Sequence, residues 1–233
     1  MEVELRVSAS ADAARRGAAE LLAAAAARGG HIALSGGSTP GPVYEVAASL
    51  APDWSRSELW FADERCVRPD DERSNYRLIR ERLLDRLERS PGAEHRVRGE
   101  LPAEHAAELY EDELRGVALD LVVLGIGADG HTASLFPNEP ALEEQARRAV
   151  AVHRTGVDRV TLTLPVLQGA ETVVFIAVGA DKADAVRRTF AEPPSPATPA
   201  SLVRSSRGIT YAFLDRNASG DVEPRQVLPE AYK

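Results

Sequence analysis

Cysteine is nearly absent from this chain of 233 residues, where Cys66 stands alone. One cysteine excludes an intrachain disulfide framework and any multi-cysteine metal site. Lysine is almost as scarce, at Lys182 and Lys233 only. The cations are therefore arginines, and an arginine by itself says little about anion binding, whereas a lysine inside the fold is the less expected event. No apolar run approaches the ~20 residues that span a bilayer, so no membrane partner is expected. Positive charge is in deficit, with a formal net charge of −8, which argues against nucleic acid and anionic membranes as partners. An anionic metabolite stays open, because its binding depends on local charge. The opening MEVELRVSAS alternates charged and apolar residues, unlike a secretory leader, and a cytoplasmic location is expected.

What is present suits a globular protein. A hydrophobic fraction of 44% over this length predicts one domain, 1–233, with a substantial core. Val3 to Val7 alternates as a half-buried strand. Helix formers over 11–28 stop at Gly29-Gly30. Strands are predicted at 31–34, 58–62, 119–124, 148–152, 160–164, 172–178 and 209–214. Helices are predicted up to Leu50, over 75–89 behind a Ser74 cap, from Pro102 to near Gly116, at Pro165 and up to Phe190. The prolines of 193–199 mark an extended loop, and a turn and tail end the chain. The alternation implies an α/β fold, a mostly parallel Rossmann-like sheet with helices on both faces.

Three strand ends carry candidate chemistry. Ser35-Gly36-Gly37-Ser38-Thr39-Pro40 follows a strand and opens a helix. Outward backbone N–H groups, hydroxyls and permissive glycines are what a phosphate group needs there. Gly125-Ile126-Gly127-Ala128-Asp129-Gly130 matches the dinucleotide fingerprint literally. That fingerprint needs a full helix directly after its third glycine, and Pro137 and Pro140 deny one, so no nicotinamide cofactor is expected. What remains in that turn is Asp129 beside His131, an acid and a base able to take a proton from water. No third ligand stands at metal-binding spacing, so no metal is expected. Asp63-Glu64-Arg65 ends another strand and can face the same crevice. Arg65, Arg154 and Lys182 follow separate strands and are candidates to converge on a phosphate ester. His95 and His105 lie among charged residues and are expected to be solvated. His31 begins a strand.

These stretches in this order, with Ser74-Asn75-Tyr76, Arg159-Val160-Thr161-Leu162-Thr163-Leu164-Pro165 and Gly179-Ala180-Asp181-Lys182-Ala183, resemble the 6-phosphogluconolactonase family over nearly the whole chain. The resemblance implies a cytoplasmic, metal-independent hydrolase of the oxidative pentose phosphate pathway. The implied fold is the one shared with glucosamine-6-phosphate deaminases and ribose-5-phosphate isomerases. The implied substrate is the small-molecule lactone 6-phospho-D-glucono-1,5-lactone, with His131 as general base and Asp129 beside it. Asp63 and Arg65 would line the site, and Ser35 to Thr39 would form the phosphate-side loop. One departure stands out. The family's Ser-Pro-Lys-Pro-Pro-like segment is His153-Arg154-Thr155-Gly156-Val157-Asp158 here. Counted back from Arg159, Arg154 takes the place of a substrate-holding lysine. A monomer without cofactor is expected.

Two rival readings differ at named residues. A sugar-phosphate isomerase or deaminase would carry Ile-Ala-Phe-Asn-Glu-Pro after the histidine. Here Thr132-Ala133-Ser134-Leu135-Phe136-Pro137 follows, and Asn138-Glu139-Pro140 comes later. A non-catalytic sugar-phosphate sensor would be expected to carry a DNA-binding domain, for which this acidic sequence shows no candidate.

Overall fold

The computed structural model describes residues 2–51 and 53–222; the tail expected after the last strand lies, from residue 223 on, outside them. The chain opens with β1 (Glu2–Ser8). The Ser10 hydroxyl then accepts the N–H of Ala13 at 3.2 Å and caps α1 (Ala11–Arg28), which Gly29 ends at φ 89°. The small residues of α1 let it lie flat, with Ala14, Ala18 and Leu22 wholly buried. β2 (Gly30–Leu34) leads through the glycine loop to α2 (Gly41–Leu50). β3 (Ser57–Phe61) follows, and after Ala62 the chain turns into β4 (Asp63–Arg65).

Behind its Ser74 cap, α3 (Asn75–Arg82) is shorter than the predicted 75–89. Leu83 leaves helical geometry at φ −128°, ψ −69°, and one 3-10 turn follows over Leu84–Arg86. The break sets both Leu83 and Leu84 into the core and lets Arg82 and Arg86 both reach Glu45 on α2. β5 (Ala93–His95) was not predicted; three residues are too few for alternation to show. The remaining elements are α4 (Ala103–Glu113), β6 (Leu121–Gly125), β7 (Ala149–Val152), β8 (Arg159–Leu162) and α5 (Leu164–Gln168). They are followed by β9 (Thr172–Ala177), α6 (Ala183–Phe190), β10 (Ile209–Asp215) and α7 (Arg216–Ser219).

The predicted parallel sheet is present, with seven strands in the order β1-β10-β9-β6-β2-β3-β5, flanked by helices. The strands at 148–152 and 160–164 do not join it. With β4 they form a separate antiparallel ribbon in the order β4-β8-β7. The physical reason is loop length: the few residues between β7 and β8 cannot make a parallel crossover, only a hairpin. Ala62 connects the two sheets, giving its N–H to Leu34 in the large sheet and accepting the N–H of Leu162 in the ribbon, each at 2.9 Å. Among the described residues no helix is long and apolar enough to cross a membrane.

The strand order fixes where a site can form. From β2 the chain builds outward to β3 and β5, then crosses to β6 on the other side of β2 and continues to β9 and β10. The reversal lies between β2 and β6. Loops leaving the carboxyl ends of those two strands diverge there and leave a crevice between them.

Candidate active site

The crevice holds a pocket lined by the loop Ser35–Thr39 from β2, Gly125, Ile126, Gly127 and His131 from β6, and Asp63 and Arg65 from β4. Asn75, Arg159 and Lys182 complete the charged and polar part of the wall, and Ala133 lines it as well. The N–H groups of Gly36, Gly37, Ser38 and Thr39 have no hydrogen-bond partner among the described residues. The Ser35 hydroxyl is buried and likewise without a partner, while the Ser35 carbonyl accepts the Tyr44 hydroxyl at 2.5 Å. Consecutive free N–H groups at a helix start form an anion-binding concavity. Gly36 is needed for close approach, since a Cβ there would stand 1.9 Å from Asn75 Oδ1.

The turn after β6 presents His131 to the pocket. His131 Nδ1 and Asp129 Oδ1 are 2.6 Å apart, and the same carboxylate oxygen accepts the His131 N–H at 3.1 Å. An ionised carboxylate only accepts, so the shared proton belongs on Nδ1 and the lone pair on Nε2. Partial burial works to raise the Asp129 carboxyl, but the backbone N–H, charge and ring of His131 outweigh it and hold the carboxyl below its usual range. Nε2 has no partner among the described residues. The turn closes on itself through Gly127 N–H to His131 O at 2.8 Å and Gly130 N–H to Gly127 O at 2.9 Å. Downstream, Ala133 takes φ 48°, a conformation that costs a non-glycine residue about 1–3 kcal/mol. It is held there by Thr132 Oγ1 donating to Gly125 O at 2.9 Å and by the Ser134 N–H donating to Thr161 Oγ1 at 3.2 Å.

The ribbon supplies two of the three cations, Arg65 and Arg159. β4 and β8 place Arg65 directly opposite Arg159, and both line the pocket. Like charges directly opposite in an antiparallel pair repel. Burial, and secondarily the charge of Arg65, hold Arg159 below the usual arginine range. The Nε of each is buried with no hydrogen-bond partner among the described residues. Arg65 keeps one bond, Nη1 to the Arg73 carbonyl at 2.7 Å. Asp63 is buried and committed on both oxygens, accepting the Ser134 hydroxyl at 2.6 Å and the Asn75 amide at 3.0 Å. It thereby ties the segment after His131 to the start of α3. Glu64 accepts the N–H groups of Asn75 and Tyr76 at 2.7 Å each and so caps α3.

Of the residues singled out in the sequence, Ser35, Gly36, Gly37, Ser38, Thr39, Asp63, Arg65, His131 and Lys182 meet in this pocket, with Asp129 directly behind the histidine. Arg154 does not line it. Its guanidinium lies 4.1 Å over the Phe136 ring and bonds Glu139 at 3.0 Å. Arg159 and Asn75 carried no role in the sequence reading. The signal for Arg159 would have been its register opposite Arg65, which exists only once the ribbon is known. His95 is not solvated as expected: it stacks on Trp60 with centroids 3.8 Å apart and sits between Glu58 and Glu113. Among the described residues no group of three or more His, Cys, Asp or Glu is placed to hold a metal.

Residues 6–212 match the family model described as glucosamine-6-phosphate isomerases/6-phosphogluconolactonase. A 6-phosphogluconolactonase of Synechocystis is 36% identical over 205 residues, covering 84% of this chain and 85% of the relative. The 6-phosphogluconolactonase of Homo sapiens is 38% identical over 203 residues, covering 81% and 79%. Among solved structures, the 6-phosphogluconolactonase of Thermotoga maritima superimposes with a TM-score of 0.76 at 32% identity, covering 91% of this chain and 98% of that one.

Proposed function

The chain belongs to the family of glucosamine-6-phosphate isomerases and 6-phosphogluconolactonases, and from that membership we propose that it is the enzyme hydrolysing 6-phospho-D-glucono-1,5-lactone to 6-phospho-D-gluconate in the oxidative pentose phosphate pathway, with His131 as the general base. The observation that carries the mechanism is one pocket joining a histidine fixed through Nδ1 to a cradle of free N–H groups and three cations. The phosphate of the substrate binds the Ser35–Thr39 loop and the cations Arg65, Arg159 and Lys182. Arg154, held by Glu139, stands outside this set and enters it only by leaving that partner.

With the phosphate anchored, the lactone carbonyl lies against His131. Nε2 takes a proton from water as the water oxygen bonds to the carbonyl carbon. Asp129 stabilises the imidazolium that forms. The tetrahedral oxyanion collapses, the bond to the ring oxygen breaks, and the imidazolium returns its proton to that oxygen. The product acid then ionises. One acid–base group contributes about 10²–10⁴-fold, and fixed orientation adds to it, which suits an ester that opens readily without help.

The same family contains isomerases, but Glu139, the glutamate nearest after the histidine, binds Arg154 and does not line the pocket. The deciding experiment is lactone hydrolysis on freshly made substrate, spontaneous opening subtracted, for wild type and His131→Ala. Loss of most turnover with the fold intact is expected. A kcat near wild type would remove His131 from the base role, and ammonia release from glucosamine 6-phosphate would move the chain to the isomerase branch.

A further inference from the structure

The Asp129–His131 pair is built on a loop, and a loop holds a 2.6 Å contact only if its peptide planes are fixed. Inside the turn, two backbone hydrogen bonds do part of this. Its outer side is held by a residue far along the chain, Arg188 on α6, which does not line the pocket. Arg188 Nη2 donates to the Ala128 carbonyl at 3.0 Å, and Nη1 donates to the Asp129 carbonyl at 3.3 Å and to Thr198 Oγ1 at 3.0 Å. Nε donates to Asp184 Oδ2 at 2.9 Å, which orients the fork.

We propose that Arg188 is a positioning residue for the reaction: its guanidinium clamps the two consecutive carbonyls beside the Asp129 side chain and so holds the carboxylate against the base. This rests on the reading of His131 as that base. The carbonyls of Ala128 and Asp129 belong to the peptide planes on either side of Asp129 Cα. Fixing both planes fixes the direction of the Cα–Cβ bond, and with it where Oδ1 can stand. Only a planar fork can reach both carbonyls and Thr198 at once; an ammonium on a flexible stem offers point contacts without the plane.

The backing is rigid as well. Gly130 takes φ 92°, its carbonyl accepts the Ala200 N–H at 3.0 Å, and a Cβ there would meet Thr198 Cγ2 at 2.9 Å and Arg188 Nη1 at 3.1 Å. The 198–200 segment, Arg188 and the turn therefore interlock, with the guanidinium as the part that touches both flanking carbonyls.

The test compares Arg188→Ala and Arg188→Lys with wild type in kcat, KM, the acid limb of the pH–rate profile and the imidazole NMR signals of His131. Arg188→Ala should lose up to about 10²-fold in kcat, as misplacement remote from the reacting atoms does, while KM moves far less. With Asp129 displaced, less negative charge favours the protonated imidazole, so the acid limb should move to lower pH and the hydrogen-bonded Nδ1 proton signal should weaken. Arg188→Lys should recover part of kcat. In an Asp129→Asn background, Arg188→Ala should cost little more, because both act through one contact. An unshifted acid limb with an unchanged Nδ1 signal, or full additivity with Asp129→Asn, would overturn the proposal. If Arg188→Ala does not fold, Arg188→Lys and Asp184→Asn carry the same readouts, and wild-type values in both would overturn it. The two readings fail separately: turnover surviving in His131→Ala removes the base, whereas turnover lost there but intact in Arg188→Ala removes only the clamp.

Discussion

Gly127→Ala tests His131 as the proposed base apart from the anion-binding side of the pocket. Gly127 does not take a positive φ, so its backbone accepts an L-residue without strain. The obstacle is the site itself. A Cβ at position 127 would lie 2.1 Å from His131 Nδ1, 2.3 Å from Cε1 and 2.7 Å from Asp129 Oδ1, where ordinary contact begins near 3.4 Å. The imidazole must therefore move by about 1 Å or more, and the contact with Asp129 is lost; displacement on that scale costs about 10²-fold in rate. At about 1.4 kcal/mol per tenfold, this is ~3 kcal/mol of transition-state stabilisation. Stability should suffer less. Overpacking costs about 1–3 kcal/mol, and the low end applies here because the His131 side chain is one-third exposed and can swing aside. The assay is steady-state lactone hydrolysis beside a thermal melt. The expectation is a large fall in kcat with KM nearly preserved, since the Ser35–Thr39 loop and the arginines proposed to hold the phosphate are untouched. Gly125→Ala is the control, because its Cβ meets only Pro40, at 3.6 Å, and a far smaller loss is expected. A Gly127→Ala enzyme with near-normal kcat, or one whose whole loss lies in KM, would refute the placement of the base.

Asn75→Ala should destabilise by about 1–3 kcal/mol, because it strips a donor from the buried Asp63 carboxylate, and should raise KM by loosening the loop at Gly36; urea unfolding and steady-state kinetics read the two effects. Arg159→Ala should raise KM far more than Arg154→Ala does, and equal effects would show that Arg154 swings into the pocket during turnover. Glu100 offers a pH-linked prediction. The Arg96 guanidinium, bonded at 2.7 and 2.8 Å, lowers the Glu100 carboxyl from 4.5 to about 2. A lowered acid stabilises the fold above its unfolded value and loses that contribution as pH falls toward the folded one. The melting temperature of Glu100→Gln should thus trail wild type near neutrality, and the gap should narrow as pH falls from 4.5 toward 2.

The sheet was legible because burial leaves a simple trace. Leu121–Leu124 and Thr172–Ala177 are buried along nearly their whole length and read as continuous apolar runs. The turn carrying His131 was legible for a different reason: Pro137 and Pro140 forbid a cofactor helix, so the glycines read as a turn that presents the histidine. The ribbon was not legible as a separate sheet. β4 is three polar residues whose partner lies almost a hundred positions away, and nothing local in Asp63-Glu64-Arg65 marks a strand. Arg159 was hidden with it, since its meaning lies in what stands opposite. Where Arg154 lies was hidden for the converse reason: counting along the chain gives a position, but its partner Glu139 comes from a different loop. The Arg188 clamp left no sequence signal, because a side chain that serves carbonyls in another element has no spacing to detect.

The facing arginines, Arg65 and Arg159, set a like-charge pair across the ribbon at the wall of the pocket. Two like charges opposed across a ribbon repel, and a phosphate dianion bound there, as the proposed function has it, would offset that repulsion. The ribbon is where that relief would act, since β4 and β8 carry the pair. It joins the large sheet through Ala62, one residue from the carboxylate that anchors both Asn75 and Ser134. Asp63 stands two residues before Arg65 and accepts the hydroxyl of Ser134, three residues after His131, so a single hydrogen bond joins the proposed phosphate end to the segment carrying the proposed base.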